Sequence, residues 1–111
     1  MTTDSHADTR QEFHQSVNMT AAEIDEWLDT KESREVGQKT DGHESTGHRS
    51  GRHIVRILRT KQADLTDADY SHMRKVIGYI ARHSKQRPEG DIADTAWRYS
   101  LMNWGNDPQK S

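Results

Sequence analysis

The chain has 111 residues, no cysteine, 30% apolar and 31% charged residues, and a formal net charge of −2. An apolar share far below the usual ~45–50% supports one small core, and the lack of thiols excludes disulfides, thiolate metal sites and cysteine nucleophiles. No stretch approaches the ~18 apolar residues of a membrane span, and residues 1–16 hold no apolar run of the signal-peptide kind, so a cytoplasmic protein with no membrane partner is expected.

Leu, Ile, Val and Phe make up only 15 of the 111 residues, a share that with a high net charge would mark a disordered chain. The charge is low, however, and the three Trp, three Tyr and four Met fall with the aliphatics at helical spacings. The fold expected is all-α: a small bundle of four to five helices with a Gly/His-rich loop and a polar N-terminal tail. Residues 1–11 are assigned to a mobile polar tail, 12–108 to a single helical domain and 109–111 to a short end.

Asp4 offers a cap for a first helix carrying Phe13 and Val17, of which only the last turns need dock. Thr20-Ala21-Ala22-Glu23 has the capping-box pattern and leads into Ile24, Trp27 and Leu28 on one helical face. A short helical piece over Glu32–Val36 stops at Gly37. From Gly37 to Gly51 the chain is polar and rich in Gly, Ser, Thr and His, the composition of a long loop. A helix then starts at Ser45 or Ser50 and runs to about Lys61. Thr66 caps the longest helix, about Asp67–Gln86, with Asp67 and Asp69 at the positive end of its dipole. Pro88 and Gly90 end it. Asp91 or Asp94 restarts a helix carrying Trp97, Leu101 and Trp104, closed by Gly105.

The charge is unevenly spread. Residues 1–48 sum to −7 and residues 49–111 to +5, so the small total conceals a dipolar chain. Arg49, Arg52, Arg56 and Arg59 recur at i, i+3, i+7 and i+10, opposite Ile54, Ile57 and Leu58, with His53 bordering them and no acid from Arg49 to Gln62. Such a face forgoes i, i+4 salt bridges and keeps a positive field. On the next helix Tyr70, Met73, Ile77, Ile80, Ala81 and Ser84 form the inward stripe, leaving Lys75, Arg82 and Lys85 outward. Tyr79 is placed with these bases, where a ring between cations suits stacking on nucleobases. The competing reading is that these faces are solvated surface, or are covered by the acidic half, with Tyr79 packed against another helix.

Catalytic and metal motifs do not hold up. His43-Glu44-Ser45-Thr46-Gly47-His48 has its second His one residue late for a zinc HExxH helix, so the imidazoles point about 140° apart. Gly42 to Arg49 has P-loop glycine spacing without the Lys-Ser/Thr or the preceding strand. A weaker reading leaves Ser50, Gly51 and Arg52 at a helix start holding one phosphate oxygen, with Arg49. No pair of the seven histidines makes a clear metal-ligand spacing. Their expected consequence is electrostatic: full protonation takes the charge from −2 to +5 and strengthens anion binding below about pH 6.5. No cofactor, metal or catalytic residue is expected.

The run Val17-Asn18-Met19-Thr20 with Trp27-Leu28, then Glu44-Ser45, Gly47-His48, Ser50-Gly51-Arg52 and Ile54-Val55, then His72-Met73-Arg74-Lys75-Val76 with Tyr79 and His83, and finally Arg98 to Gly105, resembles a family of small uncharacterised microbial proteins. That family is a domain of unknown function often labelled DNA-binding by inference. The resemblance covers about Glu12–Pro108 and implies a small helical protein, with no catalytic residues to carry over. The function expected is non-catalytic, largely sequence-independent binding of DNA or another polyanion through Arg49, Arg52, Arg56, Arg59, Lys75, Tyr79, Arg82 and Lys85. The acidic starts at Asp67 and Asp69 argue against a recognition helix entering a groove by its N-terminus. The alternative is a protein-interaction or self-association module in which the acidic N-terminal part pairs with a basic face.

Overall fold

The computed structural model describes residues 5–36 and 45–110, and within them the chain is all-helical with no strand. The elements are α1 (Ser5–Ser16), α2 (Ala21–Leu28), α3 (Lys31–Glu35), α4 (Thr46–Leu58), α5 (Asp67–Ser84) and α6 (Ala96–Asn103), with one 3₁₀ turn at Gln62–Asp64. Asp4, and the stretch 37–44 with His43 and Glu44, lie outside the described residues.

Hydroxyl side chains start five of the six helices. Thr20 and Thr66 each accept from the backbone N–H three residues on while Glu23 and Asp69 reach back to the cap, giving two complete capping boxes. Thr30 and Ser45 cap α3 and α4. α6 begins at Thr95, whose Oγ1 accepts from the Arg98 N–H. Asp91 and Asp94 do not start it, since Asp91 turns its carboxylate onto the Ala93 N–H.

α1 lies along α5, α2 lies along α4, and α6 touches α2, α3, α4 and α5, so the short last helix is the hub. Phe13, Ile24, Ile54, Met73, Val76 and Leu101 are almost wholly buried, joined by Val17, Met19, Leu28, Val55, Ile57, Tyr70, Ile80, Ile92, Met102, Trp97 and Trp104. Burying each large side chain contributes about 1.5–3 kcal/mol, which is how a chain poor in aliphatics still forms a core.

Two expectations change. α1 begins at Ser5, inside the segment assigned to a tail: Thr9 is buried, Arg10 Nη1 donates to the Tyr70 hydroxyl at 2.9 Å, and the His6 ring stacks flat on Tyr70 at 3.8 Å. The inward stripe of α5 also shifts. Because α1 and α6 both contact this helix, Val76 is drawn wholly into the core, whereas Ala81 and Ser84 are exposed.

The end of α6 is the most constrained part of the fold. Trp104 is its C-cap and Gly105 follows at φ 85°; the Gly105 and Asn106 N–H groups donate to the Met102 and Leu101 carbonyls, a Schellman closure. The Gly105 carbonyl accepts from both Asn18 and Met19 N–H, tying this turn to the α1–α2 connection. One residue earlier, Asn103 is 1% exposed. Its Oδ1 accepts from Trp27 Nε1 at 2.7 Å and Ser33 Oγ at 2.5 Å, and its Nδ2 donates to the Ser33 carbonyl. One neutral amide thus joins α2, α3 and α6.

Candidate nucleic-acid interface

The two sides of α4 have opposite tasks. Gly47, Ser50, Gly51, Ile54, Val55 and Ile57 are buried. A Cβ on Gly51 would lie 2.7 Å from the Asn103 carbonyl oxygen and 2.7 Å from Leu28 Cδ2, and one on Gly47 would lie 3.2 Å from Trp104 Nε1. These glycines let the end of α6 approach the α4 backbone directly. Arg49, Arg52, Arg56 and Arg59 are consequently all exposed.

Arg49, Arg52, His53 and Arg56 line a shallow groove of about 280 Å³ with no carboxylate among its lining residues. Behind it stands Asp69, 4% exposed. Its Oδ1 accepts from Arg56 Nη2 at 2.8 Å and lies 2.9 Å from His53 Nε2, while Oδ2 accepts from the Thr66 N–H. Burial pushes this carboxyl up, but hydrogen bonds from His53, the Thr66 backbone and Arg56 outweigh it and hold the pKa well below the usual carboxylate range. Asp69 is therefore an ionised post that fixes two of the groove's walls.

His72, one turn along α5, accepts or donates at 2.8 Å to Ser50 Oγ and stacks on His53 at 4.2 Å. Burial, with the neighbouring His53 ring and the positive charges of Lys75 and Arg56, lowers its pKa to about 4; burial also lowers that of His83. His72 therefore stays neutral at pH 6, and burial makes protonation of His83 harder than for a free imidazole, so the charge that counting seven histidines assigns overstates what these two add. Ser50 and His72 form a hydroxyl–imidazole contact, but Ser50 is 2% exposed and serves as a tie between α4 and α5.

The remaining bases are dispersed. Arg59 turns to Asp25, 3.6 Å away. Lys75 is exposed beside His72. Arg82 and Lys85 are exposed at the far end of α5, about 20 and 24 Å from Asp69 along the helix at 1.5 Å per residue. Tyr79 is not placed among them: it is half-buried, with its ring 4.3 Å from Trp104 and nearly parallel to it. Its face is taken by the indole because the end of α6 closes over that side of α5.

That contact belongs to a continuous ladder of rings. His53, His72, Trp104, Tyr79, His83 and Trp97 follow one another at 4.2, 6.0, 4.3, 5.1 and 6.3 Å between centroids, with the Arg87 guanidinium 5.5 Å from the Trp97 centroid. In the sequence these histidines carry only an electrostatic consequence and no place in such a ladder. The available signal was the spacing of His72, Tyr79 and His83 at i, i+7 and i+11, which is one helical face.

The acidic half covers part of the basic half. α2 lies along α4, and a larger hollow of about 530 Å³ between them is lined by Asp25, Glu26, Leu28, Asp29, Arg34, His48 and Arg52; His48 Nε2 is 2.7 Å from the Leu28 carbonyl. Arg52 therefore borders both a mixed-charge hollow and the all-cationic groove. Among the described residues no group of three or more His, Asp or Glu is placed to hold a metal, and no helix is long and apolar enough to cross a membrane.

In comparison with known proteins, residues 12–102 match a family model described as "Protein of unknown function (DUF3140)". No curated protein and no solved structure matches the chain.

Proposed function

From the premise that this chain belongs to the DUF3140 family, we propose that it is a non-catalytic nucleic-acid-binding protein of the cytoplasm that meets DNA or another polyanion at phosphates, largely without regard to sequence. The observation that carries this reading is the groove of Arg49, Arg52, His53 and Arg56, where cations converge with no lining carboxylate. Three arginines against one buried carboxylate, Asp69, leave a net positive field at the groove, which an anionic ligand offsets. Lys75 extends the surface, whereas Arg59, turned to Asp25, contributes less, and Tyr79 stabilises the fold in place of stacking on bases.

Fluorescence anisotropy with labelled single- and double-stranded oligonucleotides at low salt tests this. Binding is expected to fall steeply with salt, and Arg49→Ala/Arg52→Ala/Arg56→Ala to lower the slope of log K against log salt by about 0.7–0.9 per charge lost. Equal affinity of the triple variant and the native chain would sink the proposal. A second reading, pairing of the acidic part with the basic face of its own or another chain, draws support from the Asp25–Arg59 contact and the packing of α2 on α4. Sedimentation at several salt concentrations separates them: salt-sensitive self-association without oligonucleotide affinity favours the second.

A further inference from the structure

We infer that the α4 groove is a seat for a phosphomonoester, and that the polyanion it prefers is a nucleic-acid strand carrying a terminal phosphate. The inference rests on the nucleic-acid reading and names the group that the site takes. Arg49, Arg52, His53 and Arg56 stand at i, i+3, i+4 and i+7, one stripe climbing about 10 Å along the helix. Side chains on such a stripe can reach a common point near its middle, and these four line a single hollow. A surface built to track a strand would instead set its cations out in a line along successive phosphates.

The ligand that matches a converging set is one that concentrates charge. A terminal phosphate carries about −1.5 to −2 at pH 7 and three free acceptor oxygens, whereas an internal diester carries one charge and two free oxygens. Guanidinium forks pair bidentately with two such oxygens at a time. Two walls are fixed before any ligand arrives, because Asp69 holds Arg56 and His53 at 2.8 and 2.9 Å. Asp69 is itself 4% exposed and sits behind them, so it orients the donors without projecting into the groove. The hollow of about 280 Å³ accommodates a phosphate and its ester oxygen.

The test compares three versions of one labelled oligonucleotide by anisotropy with the full chain, carrying a 5′-phosphate, a 3′-phosphate or hydroxyls at both ends, and then adds inorganic phosphate or pyrophosphate as competitor to each. Strands with a terminal phosphate should bind roughly tenfold or more tightly than the hydroxyl strand. The two phosphorylated strands show which end is taken. Pyrophosphate should displace them at lower concentration than sodium chloride of equal ionic strength. Arg49→Ala, an exposed change, should shrink the difference between phosphorylated and hydroxyl strands, with circular dichroism confirming the fold. Equal binding of phosphorylated and hydroxyl strands overturns this inference and leaves the polyanion reading standing. Failure to bind any of the strands overturns both.

Discussion

Two polar nodes hold this small bundle together, and they differ in kind. Asn103 is neutral and almost wholly enclosed, and it satisfies groups of α2, α3 and α6 within the core. Asp69 is charged, and its partners Arg56 and His53 continue outward into the groove. A buried neutral amide with its hydrogen bonds filled fixes one arrangement of helices and offers nothing to a ligand. A buried carboxylate that ends in exposed cations spends part of its field on the surface. The contrast separates architecture from the candidate site in a chain where both are built from the same few helices.

The largest effect expected is at the neutral node. Asn103→Ala leaves Trp27 Nε1 and Ser33 without partners and opens a cavity, a loss of about 3–4 kcal/mol, read by urea denaturation. Anion affinity of the fraction that remains folded should not change; a change would mean that the nodes are not separate. Gly51→Ala tests the close approach beside the same node. Its methyl group meets backbone as well as Leu28, and overpacking there should cost about 2–3 kcal/mol.

At the charged node Asp69→Asn removes the charge-assisted bonds to Arg56 and His53 and weakens the capping box, for about 2 kcal/mol. Unlike the Asn103 change, it should also alter oligonucleotide affinity, because the groove's walls lose their post. Stability of the native chain should depend on pH through His72. The folded pKa of about 4 lies below the 6.5 of the free imidazole, so between these values the unfolded chain binds a proton that the folded chain refuses. Stability is then complete above pH 6.5 and falls as the pH drops toward 4, by about 1–2 kcal/mol once solvent screening of this half-exposed ring is allowed for. Denaturation midpoints of the native chain and His72→Gln at pH 7 and 5 check this, the variant giving the flatter profile. The smallest effect belongs to Arg49→Ala: less than about 0.5 kcal/mol in stability, with a loss confined to anion binding.

The helices were largely legible because their starts are chemical. Thr20, Thr66 and Ser45 announce themselves by side chains that cap backbone N–H groups, and Gly105 announces an end that needs positive φ. Thr95 was missed because Asp91 and Asp94 are equally good caps on paper, and only the packing of Trp97 and Leu101 decides among them. The docking of α1's first turns was not legible because they bury no large apolar residue; Thr9 is buried, and Arg10 and His6 dock by polar and ring contacts to Tyr70 that no hydrophobic period reveals. The arginine stripe of α4 was legible from period alone. Its post was not, since Asp69 reads as a helix-start acid and becomes a partner of Arg56 and His53 only when α4 and α5 are folded together. For Tyr79 the sequence left two places open, among the bases or against another helix: its angle on α5 suits the first, and the indole that packs on it, in favour of the second, comes from a helix that starts seventeen residues later in the chain.

The ladder of rings also gives the molecule an optical voice. Trp104 has both His72 and Tyr79 as near-parallel ring neighbours, and an imidazolium ring quenches indole emission far more than a neutral imidazole does. The folded protein should therefore dim as His72 takes up its proton near pH 4, and that titration should be missing from His72→Gln. Because His72 also stacks on His53 at the edge of the groove, an anion settling among the arginines would favour protonation of His72 and move the midpoint upward, so that binding could be followed by the light of the native chain, without a label.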